Sequence, residues 1–118
     1  MIATDLFKHD VRASSLRNAA VYNVEGRRIG HIEDVSLDRV SGQTHYAWVS
    51  LCAFLGDHDN LWPLPWALLR YDTQRNGYIL PLSKKILSEA PSFDRDAITD
   101  DLNVGEAVES FYCTVADI

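Results

Sequence analysis

The sequence predicts a mainly β fold, a small closed or partly open antiparallel β-barrel with short helices and a C-terminal amphipathic helix. Three observations carry this. Over Thr44 to Leu51 the aliphatic Ala47, Val49 and Leu51 alternate with the aromatic Tyr46 and Trp48, tight-turn residues recur at short intervals, and the chain is 118 residues long, one domain's worth. Short strands joined by tight turns leave unpaired edges, and wrapping the sheet on itself is the usual way to remove them.

Residues 1–15 form an N-terminal lead-in. Val21 and Tyr22 begin a short strand, and Val24-Glu25-Gly26-Arg27 reads as a turn because Gly26 tolerates positive φ. A second strand runs from about Arg28 to Asp38. Its apolar positions Ile32 and Val35 have opposite parity, so a β-bulge near Glu33-Asp34 is needed to keep one face inward. A helix is the competing reading of that spacing, and Gly30 and the β-branched residues weigh against it.

After the turn Arg39-Val40-Ser41-Gly42, Ala47, Val49 and Leu51 share one face of the next strand, and Tyr46 and Trp48 share the other. Leu61 to Leu64 is a strand ended by Pro65, which opens a single helical turn through Leu69. Gln74-Arg75-Asn76-Gly77 is a hairpin turn on its Asn-Gly pair, with Tyr78 to Leu82 returning. Pro81 marks that strand as an end or an edge. Ser83 caps a short helix through Ile86, Leu87 and Ala90 that Pro91 ends. Beyond it, Val104, Ala107, Val108 and Phe111 fall at i, i+3, i+4 and i+7, the stripe of an amphipathic helix of two to three turns.

Net charge is −6 and unevenly spread. Residues 1–93 balance ten basic against ten acidic side chains, whereas residues 94–118 hold Arg95 and seven acids. Phosphate backbones attract basic surfaces, so nucleic acid and anionic membranes are disfavoured partners. The acidic segment reads as a solvated tail or as a contact for a basic partner. No apolar run approaches the ~20 residues that span a bilayer, and the N-terminus has no secretory pattern, so the cytoplasm is the expected location. Cys52 and Cys113 stand apart with no metal or redox spacing; reduced thiols are expected, with Cys52 a small buried hydrophobe.

Val24 to Gly30, Ile32 to Val35, Asp38 to Gly42, Tyr46 to Val49, Leu64-Pro65-Trp66 and Leu87 to Phe93 together resemble the PRC-barrel family, named for the cytoplasmic domain of the photosynthetic reaction-centre H subunit. The resemblance spans residues 16–93, leaving 94–118 as an acidic extension with its helix. It implies the barrel and a stand-alone bacterial member. Where the family pattern has glycine this chain has Asn18, which also tolerates a left-handed backbone. The family occurs in unrelated settings, so the fold implies no activity.

No catalytic, cofactor-binding or metal-ligating constellation is expected. Asp57-His58-Asp59 is a dense polar cluster but lacks the further ligands of a tight site. His31 and His45 flank one hairpin turn and could meet if their strands pair. Asp34 is expected to bond turn backbone. The residues singled out for interaction are Tyr46, Trp48, Trp62, Val104, Val108 and Phe111. Tyr46 and Trp48 need cover outside the barrel, either from the C-terminal helix or from a partner chain, and both residue types are favoured in interface hot spots. Trp66 is expected in the core, and Trp62 in either place. The expected function is a non-enzymatic interaction or assembly module, a homodimer being the favoured state. An accessory factor of a ribosomal or photosynthetic complex is the alternative, and a small-ligand binder a more remote one.

Overall fold

The computed structural model describes residues 6–116. Its backbone begins with a helical turn, α1 (Ala13–Leu16), and then lays down β1 (Ala20–Tyr22), β2 (Arg28–Leu37) and β3 (Thr44–Ser50). A four-residue helix α2 (Cys52–Leu55) leads to β4 (Asn60–Pro65), a 3-10 turn (Trp66–Leu68), β5 (Arg70–Asp72) and β6 (Gly77–Ile79). Helix α3 (Lys84–Glu89), the two-residue β7 (Phe93–Asp94), a second 3-10 turn (Arg95–Ala97) and α4 (Gly105–Ala116) complete it.

Seven strands form one sheet in the order β5-β6-β1-β2-β3-β4-β7. The sheet does not close, so of the two shapes the sequence allows, the open one holds; β5 and β7 are its edges. The ladders are antiparallel with one exception. Strand β6 runs parallel to β1, with Val21 opposite Tyr78, and the Leu80 amide extends the pairing to the Tyr22 carbonyl. The departure has a simple cause. β1 has β2 on one side only, and the long excursion through β3, β4 and β5 returns the chain to its free edge in the same direction.

Local chemistry explains the elements. The β2 register slips between Ile32 and Asp34, which is the expected bulge, and the Asp34 carboxylate accepts from the Val35 amide at 2.9 Å. The Asn-Gly hairpin forms with Asn76 at φ 52°. Ser83 caps α3 by accepting from the Ile86 amide at 3.2 Å. Asn18 takes the left-handed backbone that the family's glycine would. Strand β6 is shorter than expected, because Pro81 has no amide to donate. Helix α2 has no strong sequence signature beyond Gly56, whose φ of 75° terminates it.

The main core lies on one face of the sheet. Val21, Ile29, Ile32, Ala47, Val49, Leu51 and Leu64 are inaccessible to solvent there, with Leu80 and Leu87 closing one end. Leu16, assigned to the barrel side of the lead-in boundary, is buried in this core as well. A smaller cluster lies on the opposite face of β3 and β4. It consists of Trp48, Leu61 and Val104, with Tyr46, Phe93, Ile98 and Leu102 packed around them.

Candidate interaction surface

The smaller cluster answers what covers the outer face of β3. Residues 93–104 run across it as a strap: Phe93 pairs with Leu61 in the β4–β7 ladder, and Ile98, Leu102 and Val104 follow. The Trp48 ring meets Tyr46 and Phe93 edge-to-face, with centroids 5.7 and 6.0 Å away, and its Nε1 donates to Ser36 Oγ at 2.8 Å. The C-terminal segment therefore supplies the cover. The acidic side chains Asp94, Asp96, Asp100, Asp101, Glu106 and Glu109 all point outward. Residues 94–114 are thus a folded, amphipathic layer of the domain rather than a loose tail.

One ionic clamp holds the strap. Arg95 Nη1 donates to both carboxylate oxygens of Glu33, at 3.0 and 2.8 Å, and Arg95 Nε donates to the His58 carbonyl at 3.2 Å. The Arg95 amide donates to the Asp59 carbonyl at 2.9 Å. His31 Nε2 stands 3.2 Å from Glu33 Oε1. The bulge turns Glu33 toward the strap, and Arg95 is the single base in the acidic segment. That isolation is the sequence signal that could have exposed the pair.

The six residues singled out in the sequence are separated by this arrangement. Trp48, Val104, Trp62 and Val108 are buried within the chain itself. Trp62 lies in the main core and donates from Nε1 to the Leu87 carbonyl at 3.2 Å, which ties α3 to β4. Packing within the chain covers most of the surface of these four. Tyr46 and Phe111 remain half-buried, and Tyr46 lies between two grooves. His31 and His45 do not meet. Their strands do pair, but His31 sits opposite Ser50 while His45 lies at the turn end of the hairpin. Cys52 is half-buried rather than buried, Cys113 is exposed, and both thiols are free.

The first groove, of about 960 Å³, runs between the outer face of β2 and the strap. Arg17, Arg39, Arg95, Glu33, Asp34 and Asp100 line it, and Arg95 and Glu33 already pair with each other. The second, of about 790 Å³, is apolar. Pro65, Trp66 and Leu68 form one wall, Val108 and Tyr112 of α4 the other, and Tyr46 the end. Trp66 is half-buried rather than fully internal, and its ring is held against Tyr78 at 5.4 Å. The Asp57-His58-Asp59 loop is explained by turn chemistry. Asp57 accepts from the amides of Asp59 and Asn60, and the Asp59 amide bond leads in drawing its carboxyl below the usual range. No group of three or more metal-ligating side chains occurs among the described residues.

Tyr112, one turn beyond Val108, escapes the sequence pattern and is 3% exposed. Its hydroxyl has no hydrogen-bond partner among the described residues, and burial pushes its pKa up. An unsatisfied buried hydroxyl costs about 1–3 kcal/mol. Tyr112→Phe is therefore expected to stabilise the fold by about 1 kcal/mol near neutral pH. The gain should widen in alkali. Above about pH 10 the unfolded phenol releases its proton while the folded one keeps it, so the folded state binds more protons and wild-type stability falls as pH rises. Denaturant midpoints of both proteins at pH 8 and pH 11 test this; a phenylalanine variant weaker at both would refute it.

The described residues thus form an open seven-stranded sheet with an apolar groove at its surface. The family model of the PRC-barrel domain matches residues 8–87, and the chain belongs to that family. PRC-barrel domains are often involved in protein interactions and are generally non-catalytic. No curated protein matches the chain. The strap and α4 lie beyond the matched region, so the cover of Trp48 comes from outside the matched domain. No helix among the described residues is long and apolar enough to cross a membrane.

Proposed function

We propose that this chain is a non-enzymatic interaction module that self-associates through the apolar groove between α4 and the Trp66 turn. The observation that carries the reading is the groove itself. Half-exposed Pro65, Trp66 and Leu68 remain at the surface after the strap has covered Trp48, beside the half-exposed Tyr46. Apolar surface of this kind marks a contact site, and aromatic residues are the usual anchors. The charged groove serves less well, because Glu33 and Arg95 are committed to each other.

Ala67 offers a clean test, since it lines the groove and is exposed. Ala67→Glu places a charge in the groove without disturbing either core. Wild-type protein is expected to sediment as a dimer in the micromolar range and Ala67→Glu as a monomer of unchanged thermal stability. A wild type that stays monomeric to millimolar concentration would remove self-association.

A further inference from the structure

We infer that residues 93–104 are a latched cover: released at Arg95, they lift off the outer face of β3 as a unit while the sheet and α4 stay folded. This does not rest on the self-association reading. The segment is anchored at both ends. Leu87 and Ala90 precede it, Val108 and Tyr112 follow it, and all four belong to the main core. A segment held in this way can open locally without unfolding the parts that hold it.

The polar attachments of the strap are gathered at one end. Phe93 and Asp94 form the two-residue ladder with β4, and the Arg95 amide donates to the Asp59 carbonyl at 2.9 Å. The Arg95 guanidinium reaches the His58 carbonyl and the Glu33 carboxylate. Among the described residues, no hydrogen bond joins residues 96–104 to the sheet. That stretch is held by apolar contact alone, through Ile98, Leu102 and Val104.

The apolar hold is small. The cluster under the strap has three buried residues, Trp48, Leu61 and Val104, against sixteen in the main core. A unit with so few buried side chains opens more readily than the whole domain. The latch is also within reach of water, the Arg95 and Glu33 side chains being 34% and 26% exposed. Opening is therefore sensitive to the charge of either residue.

Lifting the strap takes Phe93 away from the Trp48 ring and bares Trp48, Leu61 and Tyr46. Tyr46 also lines the apolar groove. One ring thus ties the position of the strap to the lining of the groove, and the closed strap keeps an aromatic surface out of solvent.

Hydrogen exchange of the full chain, followed by NMR, tests the proposal with a built-in control. The Trp48 indole N–H donates to Ser36 Oγ beneath the strap, and the Trp62 indole N–H donates to the Leu87 carbonyl in the main core. Protection of the Trp48 indole should match that of the Arg95 amide and fall at least about tenfold below that of the Trp62 indole. Glu33→Gln should lower the first two about fivefold, the upper end for a part-exposed ion pair, and leave Trp62 unchanged. Arg95→Gln also loses the His58 contact and should lower them further, and adding Glu33→Gln to it should change nothing more. Equal protection of the two indoles in wild type, or a loss in the variants that Trp62 shares, would overturn the separate opening. Variants that leave Trp48 as protected as before would overturn the latch.

Discussion

Gly30→Ala is expected to cost more than about 3 kcal/mol, a large part of the stability of a domain this size. Strand β2 is sandwiched at this point. Gly30 pairs with Val21 of β1, and the chain leaving β3 at Ser50 and Leu51 passes over it into α2. A methyl group on Gly30 would fall on the Ser50 carbonyl oxygen, which is backbone and cannot rotate away. Relief requires moving β3 or α2, and Ile29, Ile32 and Leu51 around the site are inaccessible to solvent and tightly packed. Urea denaturation followed by tryptophan fluorescence would measure the loss. Gly42→Ala is the control, because its φ of 79° brings backbone strain but nothing lies within 4 Å of the added atom. A Gly30 variant as stable as the Gly42 variant would mean the two strands part more easily than their packing implies.

Gly30 also illustrates what a sequence reveals and what it hides. Its presence argued against a helix over 28–38, which was correct, but the reason it must be glycine is a contact with a residue twenty positions away. Short-range signals read well. The parity conflict of Ile32 and Val35 located the bulge, Asn76-Gly77 the hairpin, and Ser83 the cap. Each reports a conformation decided within a few residues. The parallel β1–β6 pairing is different, since three-residue strands have no pattern long enough to specify direction or neighbour. Whether the sheet closes depends likewise on how far the β5 and β7 edges are carried apart by the segments between them.

The same division runs through the interaction surface. Alternation correctly put Tyr46 and Trp48 opposite Ala47, Val49 and Leu51, because a strand's two faces are fixed by its own period. Alternation could not say what lies over the second face. The strap that does so is irregular, and Phe93, Ile98, Leu102 and Val104 follow neither a two-residue nor a 3.6-residue period. In α4 the stripe ended one residue early. Val104, Val108 and Tyr112, spaced four apart, are the buried row, and Phe111 sits at its side. The apolar groove was not foreseen either, because its walls come from β3, the Trp66 turn and α4, elements that no local pattern brings together.

Trp48→Ala should then have a different signature from loss of an interface residue. The indole is 5% exposed and forms the centre of the smaller cluster, with Leu61 and Val104 against it. Truncation removes the ring, its Nε1 bond to Ser36 and the edge contacts with Tyr46 and Phe93. Cavities of this kind cost about 3–5 kcal/mol. The loss should not be uniform. The main core does not include Trp48, whereas the strap is held by that cluster and by the Arg95–Glu33 clamp. Hydrogen exchange is expected to rise most across residues 93–104 and least in β1 and β2, with α4 intermediate because Val108 and Tyr112 also reach the main core. Trp48→Glu should be worse still, since it puts a carboxylate among Leu61, Val104 and Phe93. Any change of oligomeric state in that variant would report unfolding of the strap rather than a lost contact between copies. The measurement that counts against this account is a Trp48→Ala protein that loses less than about 1 kcal/mol, or one whose exchange rises equally in every strand.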